Sequence, residues 1–103
     1  MRAFVTCAAL VVSVSPGAAS AADREKGEAL ARQWCTGCHV IDARGAGTDA
    51  APSFPSIARD PAKGDPNRLT AWLSTSHPSM PNFNLTRDVI ADLVAYIRTL
   101  AAS

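Results

Sequence analysis

The clearest pattern in the chain lies near its C-terminus, where Val89, Ile90, Leu93, Val94, Ile97 and Leu100 recur at spacings of three and four. That period places all six on one face of a helix, and Thr86 is a suitable cap for its start. A shorter amphipathic segment carries Leu69, Trp72 and Leu73. Asp65-Pro66 opens it, as a capping side chain followed by proline at the first helical position, and His77-Pro78 marks its end. Asp23 to Gln33 is rich in helix formers, with Asp23, Glu25 and Glu28 near the start, where the helix dipole favours negative charge. Between the Asp23–Gln33 helix and the one opened by Asp65-Pro66, Ile41 to Lys63 carries Gly45, Gly47, Pro52, Pro55 and Pro61 with little apolar periodicity, and reads as a loop. No segment alternates convincingly enough to be a strand, so the expected class is all-α.

The apolar block at the other end has a different character. Met1 and Arg2 precede a largely apolar block from Ala3 to Val14, followed by Ser15, Pro16, Gly17 and the small residues Ala18 to Ala22. A block of about 12 residues falls short of the roughly 20 that span a bilayer. Together with the small-residue run it describes a secretory signal over residues 1–22, leaving a domain over 23–103. Cleavage after Ala21, with Ala19 upstream, and after Ala22, with Ser20 upstream, both satisfy the small-residue rule. Arg2 stands alone, which points to the general secretion route and the periplasm rather than to export of a folded protein.

With 103 residues there is room for one domain and a small core, the size at which a staple is usually needed. The formal net charge of +1 loses Arg2 with the leader, which leaves basic and acidic side chains equal in number. That balance, without a charged run, argues against nucleic acid or a membrane surface as partner. Only two lysines, Lys26 and Lys63, are present, so salt-sensitive docking through a lysine ring is not expected.

Cysteine usage supplies the staple. Cys7 lies in the leader, and the remaining pair falls in Cys35-Thr36-Gly37-Cys38-His39. Two thiols at this spacing reach the two vinyl groups of one porphyrin, with the adjacent imidazole beneath the iron, which is the c-type haem attachment signature. A thioredoxin-like dithiol would need strands around it, and a zinc site would need four ligands, of which only His77 could be the fourth, at a spacing no common zinc module uses. The cofactor expected is therefore one haem c.

What occupies the iron's other axial position decides between electron transfer and ligand chemistry. Met80 is the only methionine beyond Met1, and it lies in His77-Pro78-Ser79-Met80-Pro81. The flanking prolines exclude a helix there and suit a loop that presents one side chain at a defined place. His77, Lys26, Lys63 and an open site are the alternatives.

Taken in order, the leading helix, the Cys35–His39 motif, the loop, the methionine followed by proline and the closing helix resemble the small class I cytochromes c over Asp23 to Leu100. The resemblance implies a fold of three to four helices wrapped around one covalently bound haem. It makes Cys35 and Cys38 the thioether attachments, His39 the proximal ligand and Met80 the distal ligand. It also implies close contact between Gly27 and Tyr96 where the first and last helices cross. In relatives a loop proline offers its carbonyl to the free nitrogen of the proximal imidazole; here that residue is Pro52 or, alternatively, Pro55. Phe54 is expected against the porphyrin, and Trp72 either donates to a haem propionate or packs as an ordinary core residue. Asn82 and Asn84 follow the ligand and are placed to hydrogen-bond near it. Ala31 departs from the pattern, since relatives commonly carry a large aromatic there; Leu30 and Trp34 are the candidates to fill the gap.

No acid–base pair or activated nucleophile is evident beside the motif, so the reading is of a carrier rather than an enzyme. It would be a monomer that passes one electron at a time between redox proteins such as a periplasmic dehydrogenase, oxidase or reductase. The reading from a different class is a haem protein that binds or senses a small gas at an open or displaceable sixth position.

Overall fold

The computed structural model describes residues 3–11, 21–75, 77 and 79–102. The described residues form four α-helices: α1 (Arg24–Trp34), α2 (Phe54–Arg59), α3 (Pro66–Ser74) and α4 (Arg87–Thr99), the last running into a 3₁₀ turn over Leu100–Ala102. Among the described residues there is no strand, only two isolated antiparallel bridges, Val40 with Gly47 and His77 with Met80. The all-α fold expected from the sequence is the fold observed.

Each helix begins at a side chain that satisfies an otherwise unpaired backbone N–H. Asp23 accepts from Glu25 N and Lys26 N, at 2.9 and 3.1 Å. Ser53 accepts from Ser56 N, Asp65 from Arg68 N and Thr86 from Val89 N. Asp65 and Thr86 cap where the sequence placed them. Helix α2 corrects the reading of 41–63 as a loop: Ser53 and Pro55, at the second helical position, start a helix too short to show a period.

The core is formed by one stripe from α4 (Ile90, Leu93, Val94, Tyr96, Ile97, with Leu100 beyond) packed against Ala31, Ile41, Phe54, Ala58 and Leu69. Helices α1 and α4 make the principal packing. They approach so closely at Gly27 that a Cβ there would overlap the Asp92 carbonyl and lie 2.9 Å from Tyr96 Cβ. The expected Gly27–Tyr96 crossing is therefore present. Two hydrogen bonds fix it further. Asp23 N donates to Asp92 Oδ1 at 2.7 Å, and the Tyr96 hydroxyl donates to the Ile41 carbonyl at 2.7 Å in the interior. Arg98 closes the opposite end, donating to the Ala58 and Gly64 carbonyls at 3.1 and 2.8 Å.

Ala31 is fully buried, so the position has no room for a large ring. Leu30 packs against the core there, whereas Trp34 is 38% exposed and turns to Phe83 instead. Residues 3–11 are exposed, with no regular secondary structure. Arg2, Ala19 and Ser20 of the expected leader, and Pro78 of the methionine segment, lie outside the described residues. Among the described residues no helix is long and apolar enough to cross a membrane.

Candidate functional site

Helix α1 ends at Trp34, and the chain leaves it in a tight turn through the motif. Cys35 N bonds back to the Ala31 carbonyl at 2.9 Å, and the Cys35 carbonyl then accepts from both Cys38 N and His39 N, at 3.2 and 2.9 Å. This turn holds both thiols and the imidazole on one short stretch of backbone. Cys35 and Cys38 are free. Burial pushes the Cys35 thiol up to about 11, with the neighbouring Cys38 adding to the effect. That is the opposite of the lowered value that activates a redox dithiol, and it weighs against the thioredoxin-like alternative.

The segment after His39 folds back over it. The His39 carbonyl accepts from Thr48 N at 3.2 Å, Ala51 N donates to the Cys38 carbonyl, and the Thr48 hydroxyl donates to the Gly37 carbonyl at 2.9 Å. Gly45 and Gly47 take φ of 90° and 114°, which favours glycine. Asp42 organises the turn by accepting from Arg44 N and Ala46 N at 3.0 Å, and Arg32 reaches it at 3.1 Å. The Ala46 N–H first, and then Arg32 and the Arg44 N–H, hold the Asp42 carboxyl below the usual range, against the opposing effect of burial.

This loop delivers the Pro52 carbonyl to His39 Nδ1, at 2.5 Å. A carbonyl only accepts, so Nδ1 carries a proton, and in the neutral ring Nε2 is the nitrogen left with a lone pair. That is the tautomer a ligating histidine needs, with the orienting partner that metal-bound histidines have. Pro55, the alternative, is instead buried in the first turn of α2. Phe54 is 6% exposed and lies 5.1 Å from the His39 ring, tilted by 44°. The donor set, two free thiols and an imidazole primed at Nε2, fits a covalently attached haem.

Met80 is half-buried in a turn closed by its own N–H to the His77 carbonyl at 3.3 Å, with Ser79 at φ 75°. Trp72 is 58% exposed, so it is not a core residue; its ring stacks on His77, with centroids 4.3 Å apart. Asn84 N donates to Asn82 Oδ1 at 2.9 Å, so these two residues bond to each other. The sequence reading missed the Trp34–Phe83 pair, stacked at 6.2 Å and 9°. Contacts between rings so far apart in the chain leave no local signature.

Residues 22–97 match the family described as cytochrome C oxidase, cbb3-type, subunit III. The chain is also similar to cytochrome c-552 of Bradyrhizobium diazoefficiens, 42% identical over 96 residues, covering 91% of this chain and 90% of that protein. No solved structure matches it significantly. With the attachment motif, the primed imidazole and the four-helix fold in place, these matches show that the chain belongs to the cytochrome c family as one of its small members.

Proposed function

We propose that this protein is an exported electron carrier that holds one haem c through thioethers to Cys35 and Cys38, with His39 and Met80 as axial ligands. The single observation that carries the reading is the 2.5 Å bond from His39 Nδ1 to the Pro52 carbonyl, beside two free thiols in the attachment spacing. The family match and the cytochrome c-552 relative support haem-based electron transfer as its use.

A bound haem supplies a one-electron couple between ferric and ferrous iron. The chain's own part is to hold the geometry constant. Cys35 and Cys38 anchor the group at the end of α1, and Pro52 fixes the plane and tautomer of His39. Phe54 packs beside that imidazole, while Met80 offers a neutral thioether from a turn whose backbone is already closed. Ligation by His39 and Met80 in both oxidation states would keep reorganisation small, and a thioether ligand would favour the ferrous state. The role is a carrier's, in keeping with the family match and the cytochrome c-552 relative. The leader directs it to the periplasm, where it meets redox proteins as a monomer.

The test is the optical spectrum of the matured protein, ferric and ferrous, with and without carbon monoxide. Low-spin ferrous bands indifferent to carbon monoxide, with the ferric methionine–iron charge-transfer band, are expected. A high-spin spectrum that carbon monoxide shifts at once would transfer the protein to the gas-binding class.

A further inference from the structure

Met80 sits in a segment whose hydrogen bonds are local and whose far end, Leu85, packs against the core. The hydrogen bonds of the described residues from His77 to Leu85 stay within the segment, from Met80 N to the His77 carbonyl and from Asn84 N to Asn82. Two residues in it take left-handed backbone angles, Ser79 at φ 75° and Asn84 at φ 51°. A side chain that must return to the same place needs more than local turns.

Two ring contacts provide it. Three residues before Met80, the His77 ring stacks on Trp72 of α3, with centroids 4.3 Å apart and planes at 19°. Three residues after it, the Phe83 ring lies parallel to Trp34, the last residue of α1, at 6.2 Å and 9°. The Phe83–Trp34 separation falls in the range where ring pairs attract beyond simple burial, and the His77–Trp72 pair is in closer, near-parallel contact. The His77 Nδ1 is enclosed without a hydrogen-bond partner, so the ring is held by the indole face rather than by a polar bond. Trp34 adjoins Cys35, which joins the methionine segment to the very residue that anchors the other side of the site.

We propose that these two stacks are paired pins that position the Met80 thioether, with His77 and Phe83 as positioning residues and Trp72 and Trp34 as their fixed seats. This rests on the reading of Met80 as the distal ligand. One pin ties the segment to α3 and the other to α1, so the segment is held from both sides of Met80. Trp34, Phe83 and Trp72 are 38%, 39% and 58% exposed, so none of them is part of the buried core. Removing a ring should loosen the ligand while leaving the fold in place.

The experiment uses the matured, haem-loaded protein with Phe83→Leu and His77→Leu, which remove a ring but keep apolar volume, and with Phe83→Tyr and His77→Phe, which keep a ring. Readouts are the ferric methionine–iron band, carbon monoxide binding by the ferrous protein, and the thermal midpoint. Each leucine variant is expected to raise the carbon monoxide binding constant about two- to tenfold and to weaken the band, the double variant more so, with the ring-keeping variants near wild type. All should remain folded at the temperature of measurement. Wild-type spectra from both leucine variants would overturn the pins alone. Loss of the band in His77→Phe as well as His77→Leu would also overturn them, because a chemical role for the imidazole would then be required. Absence of the band from the wild-type protein would overturn the ligand assignment and the pins together.

Discussion

Gly27 of α1 and Tyr96 of α4 meet where the two helices cross, at a separation that admits no side chain on the glycine. A Cβ added at Gly27 would run into the Asp92 carbonyl, a backbone atom that cannot rotate away. Gly27→Ala gains about 1 kcal/mol of helix propensity but incurs overpacking that costs about 1–3 kcal/mol, here at the upper end. A net loss of about 2 kcal/mol is expected, measured by denaturant unfolding of the haem-loaded protein. Gly37→Ala is the control, since nothing lies within 4 Å of its Cβ. Equal stability of the two variants would show that the crossing can open without cost.

Gly47 and Gly45 offer a second comparison of this kind. Both take positive φ, but a Cβ on Gly45 meets open space, whereas one on Gly47 would overlap the His39 carbonyl. Alanine at either position carries backbone strain of about 1 kcal/mol or more. Gly47→Ala adds the displacement of the backbone that bears His39, so its thermal midpoint should fall well below that of Gly45→Ala. The reverse order would mean that the bridge between Val40 and Gly47 contributes little to holding His39.

Much of this was legible because it is local. The caps at Asp65 and Thr86, the apolar stripe from Val89 to Leu100 and the Cys35–His39 motif each declare themselves within a few residues. Helix α2 did not, since six residues make less than two turns and Pro55 reads equally well as a turn residue. Trp34 and Trp72 were hard to place because an isolated tryptophan gives no sign of whether it turns to the core or to another ring. The partner of Trp34, Phe83, is set by tertiary packing, and that of Trp72, His77, by the way the chain turns after α3.

The hydroxyl of Tyr96 ties α4 to Ile41, two residues beyond His39, in the interior. Burial raises its pKa first, the Glu28 and Asp42 charges add to this, and Arg32 opposes them. In the unfolded chain the phenol titrates near about 10. Below that pH both states keep the proton, and the contribution to stability is fully present. Above it the unfolded state releases the proton first, so stability falls as pH rises through the folded value. Tyr96→Phe leaves the Ile41 carbonyl without this donor, which costs about 1–3 kcal/mol at neutral pH. It should also flatten the alkaline decline between about pH 9 and 11. Unfolding midpoints of both proteins across that range test the point, and parallel curves would assign the decline to other groups.

Charge sets the last expectation, because docking through a dense lysine ring would leave a steep salt dependence and this chain lacks the lysines for one. Lys26 and Lys63 are the only lysines, and Arg32 on α1 is neutralised by Glu28 at 2.7 Å and Asp42 at 3.1 Å. The apolar rings of Trp34 and Phe83, partly exposed beside Cys35, give an approaching protein a surface whose attraction salt does not screen. Electron self-exchange between ferric and ferrous copies of the matured protein measures this without a named partner. Between about 10 mM and 0.3 M salt, where the screening length shrinks from about 30 Å to below 10 Å, the rate should change by less than about threefold. A change of an order of magnitude or more would show that charge governs the encounter after all, with the arginines taking the place of the missing lysines.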